Sequence, residues 1–364
     1  MEIIKGENQM VSFGLLTLNK KTENIYFSEI AKRAAPLSID VYCFSPGDID
    51  PKTEHVHGNK FNPDTQTWDH AIFPVPTYIY DRCFYSSEDV LKKYSPIVNW
   101  LKNRKDIYFI GHGLPNKWKI YNTLSTHPLL KYYVPETVKA ESPEDIAIAL
   151  NKFKKILLKP ENGSQGRGII SLQLKGNQIE LLTHRHKNII QKIFSKRELL
   201  NRWLKKLLAA HSYLVQPYLS LIDKEMRPFD IRILVQKNKT NCWQELGRGI
   251  RKGQKGHIIS NLHGGGSPYP FDTWLESFDR NQKALLIDDI NTIITHLPPV
   301  LEESFGPLFE IGIDIGVAED GTIWILDTNS KPGHKTILQT NPNIEHLLYS
   351  APVEYCNHIA LQRR

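Results

Sequence analysis

Hydrophobic and polar positions alternate most regularly over residues 308–333, LFEIGIDIGVAEDGTIWILDTNSKPG. Ile311, Ile313, Ile315 and Val317 fall on one side, and Gly312, Asp314 and Gly316 on the other. A second apolar run covers 322–326, with Asp320-Gly321 between the runs. Period-two alternation is the pattern of a half-buried strand. Asp-Gly between two such runs predicts a hairpin with a two-residue turn, whose central positions both need φ > 0. Paired residues then sum to 641, which sets Asp314 directly opposite Asp327. Like charges so placed repel. Asn329, two positions after Asp327, projects from the same face.

Elsewhere, 11–18, 39–44, 71–80 and 107–110 read as strands and 27–34 and 90–101 as helices, an α/β alternation ending near residue 115. Asn116-Lys117-Trp118 opens a helix to about 124, and Ser142, Pro143 and Glu144 start another over 142–153. Strands follow at 156–160 (ILLKP) and 169–174, with ENGSQGRG at 161–168 between them. Residues 195–208 form an amphipathic helix, with Ser195 and Glu198 placed for a capping box. Its apolar side carries Leu199, Leu200, Trp203, Leu204, Leu207 and Leu208, its basic side Lys196, Arg197, Arg202, Lys205 and Lys206. In YLVQPYL, 213–219, Pro217 excludes a central ladder position. FDIRILVQ, 229–236, turns Phe229, Ile231, Ile233 and Val235 inward, with Asp230 and Arg232 together on the other face. A helix over 283–297 precedes the acidic hairpin, and a short helix ends the chain after 343.

At 364 residues the chain is long enough for two or three domains, and 40% hydrophobic residues supply a core. The net charge of +7 suits an anionic ligand, a nucleic acid or an anionic surface, and equally an ordinary basic protein. Cys43, Cys83, Cys242 and Cys356 have no C-x-x-C spacing, which points to a reducing compartment and away from a zinc or disulfide scaffold. No signal peptide and no membrane span is expected.

The candidate chemistry is anionic. Asp314, Asp327 and the Asn329 amide on one face suit a hard cation such as Mg²⁺; the plain alternative is an exposed acidic hairpin face. Gly163, Gly166 and Gly168 let backbone N–H groups approach phosphate oxygens, with Lys159 on the strand before them. This loop joins strand to strand, so it is neither a Walker loop nor a Rossmann fingerprint, and a flexible turn is the other reading. Arg248, Arg251, Lys252 and Lys255 before NLHGGG, 261–266, suit a phosphate clamp. Asp230 and Arg232 read as an ion pair on one sheet face. Tyr78, Tyr80, Asp81, Arg82 and Tyr85 form a polar-aromatic cluster that either contacts substrate or packs.

Taken in order, these elements resemble the ATP-grasp superfamily, which ends in an aspartate strand and an E-x-N-x-x-P-G strand. SFGLLTLN, YIYDRCFY, FDIRILVQ and NSKPG bring the chain close to the YheC/YheD group of endospore coat-associated proteins, over roughly 11–350. The resemblance implies an α/β (α+β) ATP-grasp fold: a pre-grasp domain over 1–115, a small subdomain with the glycine loop over 116–212, and a C-terminal subdomain with the metal site over 213–364. It implies that Lys117 and Lys159 hold phosphates and that Gly163, Ser164, Gln165, Gly166 and Gly168 close over them. Gln216 and Leu219 would frame the adenine, Asp230 would sit near the ribose or the nucleotide edge, and Arg232 and Arg251 would face the transferring phosphoryl or the acyl phosphate. Asp314, Asp327 and Asn329 would bind Mg²⁺. Asp327 stands where most members carry Glu, and Asn116 where Asp is usual.

The implied activity is ATP- and Mg-dependent joining of a carboxylate to an amine through an acyl phosphate, in a cytoplasmic protein associated with the spore coat and its components. The alternatives are a nucleotide-binding or structural coat component without turnover, and a small-molecule kinase. Nucleic-acid binding ranks last, since only charge and one basic helix favour it.

Overall fold

Strands rich in β-branched and aromatic residues form three sheets. The computed structural model describes residues 10–21, 23–163, 166–185, 188–258, 260 and 266–363. The first sheet is built from β1 (Val11–Leu16), β2 (Ile39–Phe44), β3 (His55–Asn62), β4 (Thr67–Pro74), β5 (Tyr78–Asp81) and β6 (Tyr108–Phe109), with helices α1 (Asn24–Lys32) and α2 (Glu88–Lys102). Its order is β4-β3-β2-β1-β5-β6, parallel from β2 to β6, with β3 and β4 as an antiparallel hairpin at one edge. The single strand expected over 71–80 is two strands, broken between Pro74 and Pro76, because proline has no N–H for the ladder.

The second sheet is antiparallel, order β11-β10-β9-β8-β12-β7. In chain order its elements are α3 (Lys117–Thr126), β7 (Val138–Ala140), α4 (Pro143–Phe153), β8 (Lys155–Pro160), β9 (Ile170–Lys175), β10 (Gln178–Arg185), β11 (Asn188–Phe194), α5 (Arg197–Ala210) and β12 (Tyr213–Pro217). Ile146 and Leu150 of α4 and Leu200 and Leu204 of α5 are buried against Ile156, Leu158, Leu172 and Val215. The expected Ser195 capping box does not form. Helix α5 starts at Arg197, and its N-cap Lys196 makes no side-chain cap bond. Pro217 is tolerated inside the sheet because β7 pairs only with Tyr213, Leu214 and Val215, so the end of β12 is a local edge.

The third sheet, order β15-β14-β13-β16-β17, is also antiparallel. Its elements are β13 (Phe229–Lys237), β14 (Trp243–Lys252), β15 (Ser267–Pro270), α6 (Phe271–Leu275), α7 (Arg280–Phe305), β16 (Glu310–Val317), β17 (Ile323–Asn329), α8 (Lys335–Thr340) and α9 (Glu345–Leu361). Leu286, Ile290, Ile293 and Leu297 of α7 pack on Ile231, Ile233, Ile313 and Ile315, and Ile120 and Leu124 of α3 join the same core. Asp279 and Gln282 form the capping box of α7. The expected short terminal helix is the 17-residue α9. It returns to the first sheet, where Val353, Cys356 and Ala360 share a core with Phe13 and Leu15.

A buried polar junction ties the first sheet to the third. Arg82, 1% exposed, reaches Glu310 at 2.7 Å and Glu23 at 2.5 Å. Its guanidinium also donates to the Pro332 carbonyl at 3.2 Å. Glu310 accepts further bonds from Tyr80 (2.5 Å) and Gln236 (3.0 Å), and His334 Nε2 lies 3.2 Å away. Lys331 pairs with Asp81 at 2.7 Å. The polar-aromatic cluster at the end of β5 therefore holds the loop after β17 in place. Of the two readings of that cluster, these contacts support packing.

Candidate functional site

The acidic hairpin is one residue longer at its tip than a two-residue turn. Val317 pairs with Ile323, Ala318 N–H donates to Thr322 O, and Gly321 adopts φ +85°. The expected Asp320-Gly321 turn is thus replaced by a three-residue loop with glycine in the left-handed position. That register alone would move Asp314 off Asp327. A bulge between Ile315 and Asp314, with Leu326 as the extra residue, restores the pairing of Asp314 with Asp327. Bulges recur beside functional sites because they re-aim backbone groups. Here the Leu326 carbonyl accepts from Lys159 Nζ at 3.4 Å.

Cross-strand pairing sets Gly249, Arg232, Asp314 and Asp327 in one row across β14, β13, β16 and β17. Arg232 Nε lies 2.8 Å from Asp314 Oδ1, and Arg251 Nη2 lies 2.8 Å from Asp314 Oδ2. Arg251 also grips Asp230 with two bonds of 2.6 and 2.7 Å, and Ser260 donates to the same carboxylate. Asp230 and Arg232 therefore do not pair with each other, as the sequence had suggested; each reaches a neighbouring strand instead. Burial alone would raise the Asp314 carboxyl, but Arg232 and Arg251 outweigh it and hold it below the usual range. The Asp314 Oδ1 contact lacks hydrogen-bond alignment, so this buried oxygen accepts no hydrogen bond.

Two lysines approach from the second sheet's side. Asn116 caps α3 by accepting from Lys119 N–H at 3.1 Å and donates to Glu161 at 2.7 Å. The adjoining Lys117 then reaches Asp327 Oδ1 at 2.5 Å. Lys159 is partly accessible from the cleft yet enclosed enough that desolvation dominates. Burial, with Lys117 adding and Asp327 and Asp314 opposing, pulls its ammonium down to about 8.

Lys117, Lys159, Asp230, Arg251, Ser260, Asp314 and Asp327 line one cleft between the second and third sheets, holding about 1040 Å³ of space with its open mouth included, whereas the expected Arg232 is not part of its wall. That is ample for a ligand the size of a nucleotide. Gly163, Gly166 and Arg167 form one rim, Gln216, Tyr218 and Leu219 another, with Asp230, Arg251, Asp314 and Asp327 at the charged end. Gly168 has φ +74°, and a Cβ there would lie 2.9 Å from Pro160 Cγ, so only glycine suits this bend. Ser164 and Gln165, and 261–265 of NLHGGG, lie outside the described residues. Among the described residues of the expected clamp, only Arg251 joins the site. Arg248 pairs with Glu245 at 2.5 Å, Lys252 lies over the Tyr269 ring, and Lys255 does not line the cleft.

Asn329 pairs with Gly312 beyond Asp327 and is not part of the cleft wall. Among the described residues no three His, Cys, Asp or Glu side chains converge as a metal cage. Sequence reading missed Ser260 and the Leu326 carbonyl. Only the nearness of Ser260 to NLHGGG hinted at the first, and nothing hinted at the second.

The profile of the family described as "YheC/D like ATP-grasp" matches residues 106–359. The chain is 41% identical over 350 residues to the "Endospore coat-associated protein YheC" of Bacillus subtilis, covering 96% of both. The chain belongs to the YheC/D-like ATP-grasp family. A second family relative, the "Endospore coat-associated protein YheD" of the same organism, is 24% identical over 77% of this chain and 61% of its own length. Among solved structures, D-cycloserine synthetase DcsG aligns with TM-score 0.54 at 11% identity over 97% of this chain and 100% of its own. D-alanyl-alanine synthetase A from Vibrio cholerae aligns with TM-score 0.53 at 11% identity, over 97% and 98%. These likenesses establish the ATP-grasp fold expected from the sequence. No helix among the described residues is long and apolar enough to cross a membrane.

Proposed function

We propose that the chain binds ATP with Mg²⁺ in this cleft and activates a carboxylate for attack by an amine. The observation that carries the reading is the convergence of Lys117, Lys159 and Arg251 on one cleft with Asp314 and Asp327, with Arg232 paired to Asp314. Gln216, Tyr218 and Leu219 frame the base, and Lys117, Lys159 and the glycine loop take the phosphates. Asp230 keeps Arg251 in position through a bidentate pair. Asp314 and Asp327 would hold Mg²⁺, which would neutralise phosphate charge. Asp314 Oδ1, which faces Arg232 but accepts no hydrogen bond, and an all-oxygen donor set fit a hard cation.

The substrate carboxylate oxygen attacks the γ-phosphorus and the bond to ADP breaks. The amine nitrogen then attacks the acyl carbon, phosphate departs, and the nitrogen loses its proton. Arg232 and Arg251 are held by carboxylates before any substrate arrives, so little reorganisation is needed as charge develops. Similarity to a coat-associated protein supports a place at the spore coat, with coat components as partners.

The second reading, a nucleotide-binding coat component without turnover, is favoured by the Lys117–Asp327 pair, which occupies one of the metal-site carboxylates. ADP release measured with panels of carboxylates and amines separates the two. Release requiring both substrates, with an amide product, supports the ligase; a phosphorylated product without amide would make the chain a kinase. No release with any pair would leave the coat component.

A further inference from the structure

Lys117 stands where a cation is expected. Its ammonium lies 2.5 Å from Asp327 Oδ1. The other carboxylates of the charged end are paired with arginines: Asp314 with Arg232 and Arg251, and Asp230 with the same Arg251. Among the described residues that line the cleft, four cations (Lys117, Lys159, Arg167, Arg251) face three anions (Asp230, Asp314, Asp327). A surface with that balance attracts an anion and resists a free divalent cation. The Lys117 and Asp327 side chains are 22% and 26% exposed, so solvent and ions reach the pair.

Resting on the reading above, we infer that Lys117 is a built-in surrogate cation that makes metal entry at Asp327 depend on nucleotide. A metal ion at Asp327 must displace the ammonium. Without nucleotide, the freed ammonium exchanges a carboxylate partner for water. With nucleotide, it gains phosphate oxygens within the same cleft. Metal and nucleotide thereby raise each other's affinity, and the coupling is reciprocal by linkage. The side chain has room to move: Lys117 lines the nucleotide cleft and also a second, solvent-open hollow of about 460 Å³ with its mouth included, walled by Ile120, Tyr121, Leu124 and Leu326. Lys117 would thus select the metal–nucleotide complex over either component alone, beyond its role as a phosphate ligand.

The test is titration of Mn²⁺, read by electron paramagnetic resonance of the free ion, into the full chain with and without a non-hydrolysable ATP analogue. Lys117→Met is expected to tighten nucleotide-free Mn²⁺ binding by about tenfold or more while weakening the analogue. Lys117→Arg keeps the wild-type weakness toward Mn²⁺ alone, and Lys117→Met with Asp327→Asn loses the gain. Lys117→Gln replaces Lys117→Met if the latter unfolds. A wild type that binds Mn²⁺ with the analogue, beside a Lys117→Met variant with unchanged nucleotide-free Mn²⁺ affinity, overturns the inference and leaves the nucleotide site standing. A wild type that binds no analogue removes the site and this inference with it.

Discussion

Arg82 Nη1 lies 2.7 Å from Glu310 Oε1, with both side chains 1% exposed, and joins the first sheet to the strand that carries Asp314. Breaking such a pair leaves a buried charge without its partner. Arg82→Met is expected to cost about 3–5 kcal/mol of stability. A urea-unfolding midpoint within error of wild type would contradict that.

The same junction sets an acid limit. Burial alone would raise the Glu310 carboxyl, but Arg82, His334 and Tyr80 outweigh it and hold it at about 2. Its folded value is depressed, so its contribution is present above the ordinary carboxylate range and is lost as pH falls toward 2. Unfolding midpoints measured from pH 5 downward should fall more steeply in wild type than in Glu310→Gln. Parallel curves would count against it.

Lys159 predicts proton linkage. Its ammonium, pulled down to about 8 by burial, is partly deprotonated above that pH, and a bound polyphosphate favours the charged form. Nucleotide binding at pH 8.5 should take up a proton, and binding at pH 6.5 should not. Affinity should fall as pH rises past 8. Calorimetry in buffers of different ionisation enthalpy reads this directly, and equal uptake at both pH values would rule it out. In the absence of ligand the sign is opposite: the unfolded lysine keeps its proton to higher pH, so this group adds stability as pH rises through 8.

Gly312 is packed against the arginine row. A Cβ there would lie 2.6 Å from Arg232 Nη1 and 2.7 Å from Pro332 Cβ. Gly312→Ala should cost about 1–3 kcal/mol by overpacking. It should also displace Arg232 and lower nucleotide-dependent turnover. Unchanged stability and turnover would show that the row tolerates a methyl group.

Much of the site was legible because strand alternation determines which side chains share a face. The facing of Asp314 and Asp327 was expected from the hairpin and is found, but by a different route. The loop is longer and Leu326 bulges, and two one-residue errors cancel. No local pattern in IWILDTN marks that bulge. Asp230 and Arg232 looked like partners because they sit two apart. Cross-strand neighbours are closer than i, i+2 neighbours, so Arg251 and Asp314 take their places. Strand β3 was missed because HVHGNKFN offers little apolar alternation. The Arg82–Glu310 junction joins residues 228 apart, which no periodicity can reveal.

The most direct test of the central claim is calorimetric titration of Mg-ATP into wild type and Asp327→Asn. Wild type is expected to bind in a magnesium-dependent way, and the variant at least tenfold more weakly, about 1.4 kcal/mol. No binding by wild type, or equal magnesium-dependent binding by both, would contradict it.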